Sequence, residues 1–131
     1  MPEITVRSSK REEAIDITEQ INQILQRISL VQGLCHIYVP HTTAGIMVNE
    51  GADPSVVDDI LSTLAKMAPR SASYRHLEGN ADAHIKAAIV GSSVTLPVTG
   101  SKVLLGTWQS IFFMEFDGPR TRRLIVTPIR T

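Results

Sequence analysis

The stretch Ile17–Val39, ITEQINQILQRISLVQGLCHIYV, changes its apolar period midway. Ile17, Ile21, Ile24, Leu25, Ile28 and Val31 recur at helical spacing, which predicts an amphipathic helix with one buried stripe. Asp16 with Glu19 three residues later reads as a capping pair for its free N–H groups. Gly33 is expected to take the left-handed conformation that ends it. Cys35, Ile37 and Val39 then alternate with Leu34, His36 and Tyr38. That period of two predicts a strand whose odd positions enter a core.

Upstream, Ile4 and Val6 alternate with Thr5 and Arg7, a short first strand. Downstream, Pro40 interrupts the second strand, and Ala44 to Val48 reads as a third. Asp53-Pro54 opens a helix, with Asp53 as N-cap and Pro54 at the first helical position. Val57, Ile60, Leu61 and Leu64 supply its inner stripe, and Pro69 stops it. Residues 70–80 read as a loop. Asn80 is expected to cap a short helix over 81–90, with Ile85, Ala88 and Ile89 inward and Gly91 at its end. Val94, Leu96 and Val98 alternate in a strand that Pro97 keeps from a fully paired position, and Thr99-Gly100-Ser101 is a turn. Strands around 108–116 and 121–127 flank Asp117-Gly118-Pro119-Arg120, a hairpin signal. The order β-α-β-β-α-α-β-β-β lacks the alternation of a doubly wound sheet. It predicts an α+β fold: a mainly antiparallel sheet assembly with three helices packed on it.

The 131 residues fit one domain, 1–131. Thirteen basic residues balance thirteen acidic ones, which gives no electrostatic case for nucleic acid as the partner. No uncharged apolar run of about 18 residues appears, so no membrane span is expected. The N-terminal residues lack the apolar centre of a signal peptide. One cysteine, Cys35, cannot form an internal disulfide. It is read as an inert buried thiol in a reducing, cytoplasmic setting. Arg120, Arg122, Arg123 and Arg130 bunch near the C-terminus. They are read as a solvated strand face, with a local phosphate site as the alternative. Trp108 and Phe112 to Phe116 are read as core or subunit contact.

The polar residues gather in three places: HTTAG from His41, NEGADPSVVDD from Asn49, and HLEGNADAH from His76 to His84. The spacing of His76 and His84 matches no recognised zinc motif. Loops at one end of a sheet can nevertheless converge. His41, His76 and His84 with a water would make a catalytic zinc set. The alternative is three unrelated histidines in ordinary hydrogen bonds. Glu78 and Asp82 are candidate proton carriers or carboxylates that orient a ligating ring. Asp82 also suits the first turn of a helix, and Asn80 suits a cap.

HTTAGIMVNEGADPSVVDDI (41–60), HLEGNADAHIKAAIVGSSVTLPV (76–98) and GTWQSIFFMEFDGPR (106–120) together resemble the YjbQ-like family. The similarity runs in order over nearly the whole chain. It implies a β-sandwich-like core, a homotrimer and sites near subunit boundaries. The family's polar pattern falls on His41, Asn49, His76, Glu78, Asn80, Asp82 and His84, and its strand motif on Gln109 and Glu115. The small departures are Gly45, expected to widen the pocket wall, and Met47. The resemblance implies a secondary thiamine-phosphate synthase, joining hydroxymethylpyrimidine diphosphate to thiazole phosphate with release of diphosphate. In that reading His41, His76 and His84 hold a divalent metal, and imidazole ligands favour zinc. Glu78, Asp82, Asn80 and Asn49 complete the catalytic set around a small phosphorylated substrate. Two other readings stand beside it: a metal-assisted hydrolase of a small phosphorylated metabolite, and a non-enzymatic trimeric metabolite-binding protein.

Overall fold

The computed structural model describes residues 2–131. In chain order the elements are β1 (Glu3–Arg7), β2 (Glu13–Asp16), α1 (Thr18–Arg27), β3 (Gln32–Tyr38), β4 (Ala44–Glu50), α2 (Pro54–Met67), α3 (Ala81–Val90), β5 (Ser93–Thr99), β6 (Lys102–Val103), β7 (Gln109–Glu115) and β8 (Thr121–Arg130). The fold is α+β. Two sheets, β1-β8-β3-β5-β6 and β2-β7-β4, are antiparallel throughout.

The parity of β3 is as the alternation predicts. Cys35 and Ile37 are fully buried, and Val39 beyond the strand is buried with them. They meet Leu124 and Val126 of β8, Ile111 and Phe113 of β7, and Ile21, Ile24 and Leu25 of α1 in the main core. The opposite face of β7 carries Phe112 and Met114, which with Phe116 pack under Leu64 of α2 and Ala83 and Ala87 of α3. Burial on both faces explains why β7 reads as an unbroken apolar run. The second helix starts as its sequence indicates: Asp53 Oδ1 accepts from the Ser55 N–H at 3.0 Å, and Pro54 follows the cap.

Several sequence expectations change. The expected hairpin at 117–120 is a crossing between sheets. β7 already has β2 and β4 as neighbours and β8 has β1 and β3, so neither offers the other a free edge. The Asp16–Glu19 capping box does not form. Asp16 Oδ1 accepts from the Thr18 N–H at 3.0 Å, and Ile17 occupies the N-cap. Gly33 lies inside β3 rather than ending α1, and Ser29 takes the left-handed conformation (φ 56°). Gly33 is needed for another reason: a Cβ there would sit 2.1 Å from the Ile129 carbonyl oxygen. At Gly45 a Cβ would sit 2.6 Å from the Gly91 oxygen. Its absence lets the end of α3 approach β4 and does not widen a pocket.

The largest change concerns α3, whose faces are reversed. Ile85, Ala88 and Ile89 point outward, while Asp82, Lys86, Ala83 and Ala87 are buried. The small alanines allow close approach to the sheet. The two charges are tolerated because they meet each other: Lys86 Nζ donates to Asp82 Oδ2 at 2.9 Å, one turn apart. Arg11 donates to both Asp82 oxygens, at 3.1 and 3.2 Å. Glu12 Oε2 lies 3.2 Å from Lys86 Nζ, close enough for attraction although it makes no hydrogen bond.

Removing one partner from such a buried set leaves a charge without compensation. Lys86→Met should therefore lower unfolding free energy by about 3–5 kcal/mol in urea titrations. A loss below about 1 kcal/mol, the range of solvent-exposed pairs, would mean that Lys86 is not part of the packed interior.

Candidate functional site

The site forms at the end of β7, where a side chain of one sheet meets a side chain of the other. Ile111, Phe113 and Glu115 share one face of β7, so Glu115 points between the sheets after two core residues. Arg122 shares a face of β8 with Leu124 and Val126. The two side chains meet at the rim, Glu115 with no exposed surface and Arg122 with 7%. Arg122 Nε donates to Glu115 Oε1 at 2.9 Å, and Nη2 donates to Thr43 Oγ1 at 2.8 Å. Ser8 Oγ donates to Glu115 Oε1 at 2.7 Å, and the Asp117 N–H donates to Oε2 at 3.1 Å. Burial alone would raise the Glu115 pKa, but the bonds from Arg122 and Ser8 outweigh it and hold the carboxyl below its ordinary value. Among the described residues Arg122 Nη1 has no hydrogen-bond partner and is not a buried unpaired atom, so it retains some exposure.

His41 follows β3 where Pro40 has no N–H to continue the ladder. Its Nε2 accepts the Arg123 N–H at 3.0 Å, replacing a backbone acceptor. The proton of a neutral ring then sits on Nδ1. Burial, then the charge of Arg122, lowers the His41 pKa and favours that neutral form.

Asn80 fixes a second chain of bonds. Its Nδ2 donates to Asp117 Oδ2 at 2.9 Å, and Asp117 also receives Arg120 Nη2 at 2.9 Å. Since the carboxylate can only accept, the Asn80 amide is oriented and its Oδ1 is left as an acceptor. His76 Nε2, 2.8 Å from that oxygen, therefore donates to it. Burial would raise the Asp117 pKa, yet Asn80 and Arg120 bring it below the ordinary value. His84 stands edge-on to His76, with ring centroids 5.1 Å apart. Among the described residues neither of its ring nitrogens has a hydrogen-bond partner.

These groups surround a hollow of about 540 Å³ whose wall includes His41, Thr42, Thr43, His84, Arg120 and Arg122, with Glu78, Asn80 and Asp117 at one side. The sequence-derived residues divide accordingly. His41, Asn80, His84 and Glu78 line the hollow, and His76 borders an adjoining one. Asp82 is enclosed by Arg11 and Lys86 and does not reach it. Asn49, on β4, accepts the Glu50 N–H and lies elsewhere, as does Gln109, which accepts the Gly106 N–H. Asp117 was not among the expected site residues, and Arg122, expected on a solvated strand face with a local phosphate site as the alternative, is buried. One signal was available for Arg122: it has the same parity as Leu124 and Val126, so it had to face inward.

A shared metal ion does not fit this arrangement. His41 Nε2 is committed as an acceptor and its Nδ1 carries the proton, so the neutral ring has no lone pair free for an ion. No group of three or more His, Cys, Asp or Glu side chains among the described residues is placed to hold an ion. The expected three-imidazole zinc set on His41, His76 and His84 is not assembled, and no step is derived through a metal.

A family model described as UPF0047 protein YjbQ-like matches residues 2–131. The UPF0047 protein MJ1081 of Methanocaldococcus jannaschii is 51% identical, over 92% of this chain and 88% of its own. The UPF0047 protein YugU of Bacillus subtilis is 46% identical, over 91% of each chain. The crystal structure of an uncharacterized conserved protein of the yjbq/upf0047 family from Clostridium acetobutylicum superposes with a TM-score of 0.96 at 43% identity, covering 98% of this chain and 100% of that one. These relatives carry a designation without an activity, and a Sulfolobus solfataricus neighbour is described as of unknown function. The thiamine-phosphate synthase expectation is therefore corrected: none of these relatives is described with that activity, and the metal-type site it required is not formed among the described residues. The metal-assisted hydrolase reading falls for want of the same site.

Burial would raise the Asp82 pKa, but Arg11 and Lys86 bring it down from 3.8 to about 2. Asp82, Glu115 and Asp117 all have folded values below their unfolded ones, so the unfolded chain binds more protons in acid. Their stabilisation is complete above about pH 5 and is lost as pH falls through 4 toward 2. Thermal midpoints measured from pH 6 to pH 2 should drop over that window. Asp82→Asn should start lower and lose less across it.

Proposed function

This chain belongs to the UPF0047 YjbQ-like family, and we propose that its polar hollow receives a small phosphorylated compound, held by side-chain donors and open to proton exchange at His84. The observation that carries this reading is Arg122. Its side chain is almost wholly buried and fixed by Glu115 and Thr43, yet the residue lines the hollow and, among the described residues, its Nη1 has no hydrogen-bond partner. A guanidinium held this way needs no further ordering to donate two N–H bonds to an anion.

The surrounding groups suit the same ligand. Neutral His41 has its proton on Nδ1, and Thr42 and Arg120 line the same wall. The Arg122–Glu115 and Arg120–Asp117 pairs are each neutral overall. Affinity therefore rests on directed bonds rather than on long-range attraction, and each charge-assisted bond contributes about 1.5–3 kcal/mol. A phosphate dianion competes with Asp117 for Arg120, which is half exposed and donates to Asp117 through Nε and Nη2. Among the described residues His84 is the one imidazole of the three whose nitrogens make no hydrogen bond to the protein. It borders the hollow with Glu78, which gives the site a group able to accept or return a proton. The reading needs no metal ion at the anion.

Calorimetric titration with inorganic phosphate and methyl phosphate tests the anion site. Wild type should bind both, and Arg120→Gln should weaken each by about tenfold, the loss of one charge-assisted bond. No binding, or binding indifferent to that substitution, overturns the reading. Titrations in two buffers of different ionisation enthalpy count protons exchanged on binding. His84→Gln should change that number relative to wild type, and an unchanged number removes His84 from its role.

A further inference from the structure

We infer that a second hollow, lined by Tyr74, Arg75, His76, Ala81, His84 and Ile85, receives the planar, uncharged body of the same ligand, which makes the ligand an ester of phosphate with an aromatic group. The inference rests on the proposed phosphate site, because it concerns the remainder of the molecule bound there. The two hollows share one wall. His84 lines both, so a ligand anchored beside Arg122 extends past this ring into the second space of about 350 Å³.

The chemistry of the two spaces differs. The first is walled by guanidinium, imidazole and hydroxyl groups and offers little apolar surface. Small-molecule sites usually combine a few fixed polar groups with a mainly apolar wall, so the first hollow is half of such a site. The second hollow supplies the other half. Two of its polar edges are already used inside the protein, while Arg75 and His84 keep theirs: Tyr74 Oη donates to the Pro69 oxygen, and His76 Nε2 donates to Asn80 Oδ1 at 2.8 Å. What these two rings retain for a ligand is aromatic surface. Ile85, which α3 turns away from the core, and Ala81 add aliphatic surface. Flat unsaturated groups pack on such walls in offset or edge-on contact. The same chain of bonds that holds His76 reaches Asp117 and Arg120. The wall of the body hollow and the side chain that meets the anion are thus positioned by one network.

The test compares phenyl phosphate, methyl phosphate and inorganic phosphate by calorimetry on the full chain. Wild type should bind phenyl phosphate about tenfold more tightly than methyl phosphate, the scale expected from one aromatic contact plus the buried ring surface. In Tyr74→Ala and in Ile85→Asn that ratio should fall to about one. Ile85→Asn is the safer variant, since the side chain is partly exposed and supports no core contact. Equal binding of phenyl and methyl phosphate by wild type, with Arg120 still required, overturns the body hollow and leaves the phosphate site standing. Preference for phenyl phosphate that survives both substitutions places the ring elsewhere and also overturns it. Failure of all three phosphates to bind removes the phosphate site and this inference together.

Discussion

The pair formed by Arg122 and Glu115 is the constraint around which the rest of the molecule is arranged. Each comes from a different sheet, and each follows core residues of the same parity along its strand. Taking two ions out of water costs several kcal/mol each unless their remaining donors and acceptors are satisfied. Ser8, Thr43 and the Asp117 N–H meet that need for Glu115 and for most of Arg122. Those partners arrive from the end of β1, from the segment before β4 and from the turn after β7. The position of the ion pair therefore fixes three separate pieces of backbone. Arg122 itself lines the hollow, with one guanidinium nitrogen left without a hydrogen-bond partner among the described residues.

A second charged set, Asp82 with Arg11 and Lys86, works on the other side of β7. It keeps the polar face of α3 against the sheet and so decides which side chains α3 shows to solvent. Had α3 packed by its isoleucines, His84 would have rotated with them, because residues on one helix keep fixed angular offsets. The burial of a lysine and an aspartate thus places His84 at the junction of the two hollows. An ion set that does not itself reach the hollow decides which side chain borders it.

Much of this was legible in the sequence, and the failures have identifiable causes. The parity of β3, the Asp53-Pro54 start of α2 and the α+β class follow from local rules that tertiary contacts did not override. The hairpin expectation failed because turn chemistry reports that the chain reverses, not which neighbour each strand finds. The inner face of α3 was misread because periodicity scores Asp82 and Lys86 as polar and cannot know that they neutralise each other one turn apart. Gly33 and Gly45 show the same limit. Each is required by a carbonyl oxygen from a distant strand or helix end, which no local pattern contains. His41, Asn80, His84 and Glu78 were recognisable as a group through family resemblance. Arg122 and Asp117 complete the wall, and they were obscured by the habit of assigning charged residues near a turn to solvent.

The three histidines carry the sharpest version of this point. As residue types they are equivalent, and three of them suggest an ion. Their surroundings make them three different devices. A backbone N–H that lost its ladder partner beyond Pro40 makes His41 an acceptor at Nε2. A carboxylate two bonds away, acting through the Asn80 amide, makes His76 a donor at the corresponding atom. Of the three, His84 alone has both nitrogens uncommitted among the described residues, and it is the one that both hollows share. Donor and acceptor roles, which depend on partners remote in sequence, separate a metal triad from a site that binds through hydrogen bonds. Composition and spacing cannot distinguish the two; the direction of each hydrogen bond can.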